Sequence, residues 1–177
     1  MGEDKSYRGA ASQFFVAGEL CRRRLVAVVT LGNCPNTDVL VSNQAGTHFA
    51  HVQVKTFRPG VDKGVSVGIK AECDYGPKFF WVLAGIPEPS SDAKPEYFVV
   101  PSADMAQLVA ENHQLWRTTK GKRGQTRSQD TTLRIVGIPP ALMSETKKSI
   151  EQYRERWDLI GDCCQGNLPQ SKNTEPI

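Results

Sequence analysis

Four side chains in the first third of the chain have types and spacing that could do chemistry together: Glu19, Asp38, Gln53 and Lys55. Gln53 and Lys55 lie two apart in HVQVKTF (51–57). Residues two apart in a strand share a face, so Ala50, Val52 and Val54 point one way and His51, Gln53 and Lys55 the other. One face is apolar and the other sets a cation beside an amide. Asp38 opens the preceding apolar run, and pairing of the two runs brings a carboxylate, an amide and an ammonium group to one place. Glu19 sits on a predicted helix, and a helix packed on this sheet could deliver a second carboxylate to the same edge. Each residue alone has an ordinary role. Gln53 and Lys55 suit the solvent face of an edge strand, where lysine discourages aggregation. Glu19 suits an i,i+4 pair with Arg23, and Asp38 a turn bonded to its own backbone. Their joint order on helix, strand and strand is what marks a site.

The elements that must position these residues are readable from periodicity. Residues 1–9 are polar and aperiodic and read as a loose lead-in. In ASQFFVAGELCRRRL, Ala11, Phe14, Phe15, Gly18 and Cys21 recur at helical steps and three arginines suit the helix C-terminus, which predicts a helix over 11–24. Three β-type runs follow at 25–31, 37–43 and 49–57, the last two joined by a connection short enough for an antiparallel hairpin. Residues 58–78 are glycine-rich and irregular, with a short strand expected near 65–69. FFWVLAGI (79–86) is continuously apolar, the pattern of a strand covered on both faces, and 96–102 reads as its neighbour. Ser102 then suits the cap of a helix reaching Asn112. Pro139 and Pro140, with Leu142, Met143, Ile150, Tyr153 and Trp157 at helical spacing, predict a last helix over 140–159. The expected organisation is one α/β domain over 1–162, a central mixed sheet flanked by helices, with a disordered tail over 163–177.

The stretch ELCRRRLVAVVTLGNCPNTDVLVSNQAGTHFAHVQVKTF (19–57) resembles the PD-(D/E)XK, restriction-endonuclease-like superfamily, which includes archaeal Holliday-junction resolvases. PEYFVVPSADMAQLVAENHQLW and YRERWDLIG are similar to segments of small bacterial proteins of that superfamily. Thr37 stands where the motif has proline, and Gln53 where glutamate is usual. An amide is a weaker ligand for a hard cation than a carboxylate, but some active members carry Gln-x-Lys. The resemblance implies a Mg2+-dependent nuclease, with Mn2+ as a substitute, that hydrolyses phosphodiester bonds in DNA. It implies Asp38, Gln53, the carbonyl of Val54 and Glu19 as metal ligands, and Lys55 as the group that orients or deprotonates the attacking water. Phosphodiester hydrolysis asks for this inventory, because a water must be positioned while charge builds on the phosphoryl oxygens. The alternative is a nuclease-fold module, catalytically silent, that binds nucleic acid or a protein partner. A homodimer is expected if both strands of a duplex are cut.

Composition narrows the field. Lysine and arginine number 22 against 19 aspartates and glutamates, an excess too small to identify a polyanion binder without a local cluster. KGKRGQTR supplies one: Lys120, Lys122, Arg123 and Arg127 lie on a polar loop (118–132) that could grip phosphates or serve solubility alone. Trp116 before that loop could stack on a base or pack at a helix end. The five cysteines form no Cys-x-x-Cys spacing, so reduced thiols in a cytoplasmic protein are expected rather than a zinc knuckle or disulfide framework. His48 and His51 point to opposite strand faces, which argues against a shared metal. No apolar run approaches the roughly 20 residues of a membrane helix. GVDKGVSVG lacks the glycine spacing of a phosphate-binding loop, and Ser144-x-x-Lys147 has no companion motif.

Overall fold

A computed structural model describes residues 5–31, 34–121, 124–127 and 131–167. In chain order the elements are α1 (Lys5–Arg22), β1 (Val26–Val29), β2 (Val39–Ser42), β3 (Phe49–Phe57), β4 (Gly64–Ser66), β5 (Phe79–Gly85), β6 (Glu96–Pro101), α2 (Ser102–Thr118), β7 (Ile135–Gly137) and α3 (Asp158–Cys164). Five strands form one mixed sheet in the order β1-β2-β3-β5-β6, and β4 pairs with β7 in a small second sheet. Only β3 and β5 run parallel in the main sheet; its other neighbours are antiparallel. The protein is a mixed α/β fold. No described helix is long and apolar enough to cross a membrane, and all five cysteines are free.

Two apolar cores lie on the two faces of the sheet, because β3, β5 and β6 alternate their side chains between them. Val16 and Leu20 of α1 and Ile160 of α3 pack with Val52, Val54, Phe80 and Val82 on one face. Met105 and Val109 of α2 pack with Phe57, Trp81, Leu83 and Phe98 on the other. Every residue of β5 is buried, which is why its sequence is apolar without alternation.

Several boundaries depart from the sequence expectations for identifiable reasons. Helix α1 begins at Lys5, six residues before the predicted start, because apolar periodicity marks only the part that reaches the core; Tyr7 stands 78% exposed. Ser102 does not cap α2 with its side chain; its hydroxyl instead accepts the Tyr75 N–H at 2.7 Å. That helix runs on to Thr118, since buried Asn112 accepts the N–H groups of Glu145 and Thr146 and so has a tertiary role inside the helix.

The predicted helix over 140–159 is absent. Its apolar residues, though helically spaced, serve opposite faces of the sheet: Met143 and Ile150 enter the α2 core and Trp157 the α1 core. A single helix cannot satisfy both. The chain instead turns, with Lys147 and Glu155 at positive φ, and passes the outer edge of β6 through a Phe98–Arg154 bridge. Helix α3 then carries Cys163 and Cys164, both buried, past the expected domain boundary at 162. Residues 168–177 of the expected tail lie outside the described residues.

Candidate active site

The antiparallel pairing of β2 with β3 ends with Val39 opposite Val52, which leaves Asp38 just before the strand and beside β3. Asp38 still belongs to the ladder through its backbone, donating to the Val52 carbonyl at 2.9 Å and accepting from the Thr30 N–H at 2.9 Å. Strand β2 begins there, whereas β3 continues to Phe57. The Asp38 carboxylate fills the place a further β2 residue would have taken: its Oδ2 accepts the Val54 N–H at 2.7 Å and the Gln53 Nε2. Strand geometry turns the Val54 carbonyl toward this same side, since a residue's N–H and C=O share a direction in the ladder.

Lys55 shares the face of Gln53, and both line a cleft of about 570 Å³ bounded by Trp81, Asn36, Lys70 and Thr132. Its charge acts on Asp38. Burial pushes the Asp38 carboxyl above its ordinary value, with the Val54 N–H and the Lys55 charge opposing the shift.

The helix contribution comes from a residue the sequence reasoning missed. Gln13 of α1 donates its Nε2 to Asp38 Oδ1 at 3.2 Å. Glu19, predicted for this role, stands elsewhere. It is bound to Arg22 and Arg23, and Arg23 reaches Glu155 at 3.8 Å and lies over the Trp157 ring at 4.9 Å. The Arg22 hydrogen bond, with help from Arg23, holds the Glu19 carboxyl below its ordinary value. Glu19 also acts on Tyr97 of β6, whose hydroxyl is pushed up to about 12, chiefly by burial and then by the charges of Glu19 and Glu155. Strand β6 lies three strand spacings from β2, roughly 14 Å. The physical reason is helical phase. Residues 13 and 19 are about 120° apart around a helix, so they flank the buried stripe of Val16 and Leu20 on opposite sides. The available signal was a glutamine three residues before Val16, on the flank that faces β2.

Among the described residues, no three His, Cys, Asp or Glu side chains stand close enough to hold a metal ion together. The donor set around Asp38 is one carboxylate, two carboxamides and the Val54 backbone. It is made of oxygen ligands once the Gln13 and Gln53 amides turn their carbonyls inward, which fits a hard cation that keeps several waters.

The basic loop is only partly described; Lys122 and Arg123 lie outside the described residues. Lys120 is exposed. Arg127 is tied down: it donates to the Thr119 carbonyl at 3.1 Å and lies 4.7 Å over the Trp116 ring. His113 stacks on that same ring at 5.5 Å, so Trp116 serves packing at the end of α2. His51 bonds the Thr37 hydroxyl at 3.2 Å, whereas His48 joins the Asn43–Thr47 turn.

No family model matches the chain, and no curated protein sequence matches it. Its fold is similar to that of a bacterial homing endonuclease, I-Ssp6803I, with a TM-score of 0.52 at 15% identity, over 92% of this chain and 96% of that one. The likeness therefore extends over nearly the whole chain and gives it a nuclease-like fold.

Proposed function

We propose that this chain is a divalent-metal-dependent nuclease of the PD-(D/E)XK type that hydrolyses phosphodiester bonds in DNA. The observation that carries the reading is the meeting of Asp38, Gln53 and the Val54 backbone at one point, with Gln53 and Lys55 lining an open cleft and the Lys55 charge acting on Asp38. Asp38, the Gln53 amide oxygen and the Val54 carbonyl would hold Mg2+ or Mn2+, and Gln13 takes the helix position first expected of Glu19. The bound ion would neutralise charge on the phosphoryl oxygens and acidify a water. Lys55 orients that water, and its ammonium faces the oxygens on which charge builds. Lys120 and the neighbouring loop cations act as phosphate contacts that add affinity without sequence information.

A second reading, a silent nucleic-acid-binding module, is favoured by one detail. Both glutamine amides donate to Asp38, so the carboxylate is satisfied by neutral partners. Gln53→Glu separates the two. It sets two carboxylates in contact, an arrangement that is unfavourable alone and is relieved by a cation between them. In a nuclease this substitution preserves cleavage and lowers the metal concentration needed for half-maximal rate. Glu19→Gln leaves both unchanged within about twofold, since Glu19 pairs with Arg22 and Arg23 away from Asp38. Metal-titrated cleavage of plasmid DNA reads both. A silent module yields uncut DNA with every variant at every metal concentration.

A further inference from the structure

The cleft that holds Gln53 and Lys55 is not isolated. Ile69 and Thr132 form one of its walls and also one wall of a second groove of about 450 Å³, which runs along α2 past His113 and Arg117. Both grooves open on the α2 side of the sheet. Among the described residues their linings carry four permanent cations, Lys55, Lys70, Arg117 and Arg134, against the single carboxylate of Glu72. That carboxylate is already paired with Arg134 at 2.5 Å. Lys70 donates to the neutral Asn36 side chain at 3.1 Å, and neither Lys55 nor Lys70 forms an ion pair among the described residues. Arg117 projects from the last turn of α2 into the second groove.

We infer that the second groove, with the Lys70 wall of the adjoining cleft, is the flanking phosphate track of the candidate active site, where Lys70 and Arg117 hold the backbone of a DNA duplex on one side of the scissile bond. The inference rests on the nuclease reading for its direction, but its residues lie outside the proposed catalytic set. Duplex rather than single strand follows from the aromatic residues. Sites for single strands pair a cationic groove with rings on which bases stack. Here the Trp81 ring is 3% exposed, and the Trp116 ring is engaged by His113 and Arg127. The one ring that lines the second groove among the described residues, His113, is stacked on Trp116 at 5.5 Å, and a cationic groove whose ring is so engaged reads backbone. Ile69, 47% exposed on the ridge between the grooves, separates the reacting phosphate from those held beyond it.

The test is fluorescence anisotropy of the full chain, without metal, over a salt series, with a labelled DNA duplex and with its single strand alone. Lys70→Gln and Arg117→Gln are each expected to weaken duplex binding about fivefold to tenfold in low salt. Each should also reduce the slope of log K against log salt by about one. Arg156→Gln, which removes an exposed cation paired with Asp158 beside α3, should change neither. Both track residues are exposed, and thermal melts of the variants verify that the fold is kept. Unchanged affinity and slope in both track variants, with a wild type that cuts DNA, would overturn the track and leave the nuclease reading standing. Weakened binding in a chain that cuts nothing would support the track and remove the nuclease. A wild type that prefers the single strand would overturn the assignment to duplex, and one that binds neither would overturn track and nuclease together.

Discussion

Asp38→Asn is expected to lower the single-turnover cleavage rate by about 10³-fold or more while leaving DNA affinity within severalfold of wild type. Among the described residues Asp38 is the one carboxylate at this point, and it gathers Gln13, Gln53 and the Val54 N–H around itself. The asparagine keeps the shape. It removes the charge that would hold a cation and presents an NH2 group to donors that need an acceptor. The pH dependence follows from burial, which raises the Asp38 carboxyl above its ordinary 3.8. Metal binding needs the ionised form, so protons compete with the metal and the metal concentration for half-maximal rate should rise as the pH falls. Stability runs the other way, because a raised pKa means that the fold disfavours the charged form. That penalty is absent below the ordinary carboxylate pKa and fully present above the folded one. Asp38→Asn therefore relieves a cost at neutral pH that it does not relieve in acid. Rate and urea-midpoint profiles of the two proteins against pH check both halves. A rate within tenfold of wild type at neutral pH would remove Asp38 from the centre.

The second large effect is on stability. Phe80→Ala is expected to cost about 3–5 kcal/mol, a substantial part of the 5–15 kcal/mol typical of a domain. Phe80 is fully buried in the interior strand β5 and stands opposite Val52 of β3. Its cross-strand neighbours Val52 and Pro101 are fixed by sheet pairing and cannot close over the hole. The measurement is the urea midpoint, which should fall with little change in slope. Cleavage per folded molecule should survive, since Gln53 and Lys55 face the other side of β3. A loss below 1 kcal/mol would mean that the α1-side core is not packed around this ring.

What was legible in the sequence is what local pairing determines. The antiparallel β2–β3 hairpin was expected from its short connection, and with it the approach of Asp38 to Gln53. The continuous apolar run of β5 announced a strand covered on both faces, and all seven residues are buried. Helical phase was harder. The apolar stripe of α1 identifies the buried face but not which flank overlies β2, so Glu19 was chosen where Gln13 stands. The segment 140–157 misled for a deeper reason: helical spacing of Met143, Ile150 and Trp157 is the same in sequence whether they share one core or serve two. A short strand was expected near 65–69 and β4 overlaps it, whereas β7, three residues paired with β4 across some 70 positions, carries too little periodicity to be seen.

The measurement that bears most directly on the central claim is single-turnover cleavage of supercoiled DNA at protein excess, with and without Mg2+ or Mn2+, by wild type and by Lys55→Ala. A nuclease built on Asp38, Gln53 and Lys55 nicks the plasmid only when a divalent metal is present. Lys55→Ala should slow that step by about 10²–10⁴-fold while the protein still folds and binds DNA. Intact plasmid from wild type under both metals, extended to linear, single-stranded and branched DNA, would contradict the nuclease, and undiminished nicking by Lys55→Ala would contradict the site.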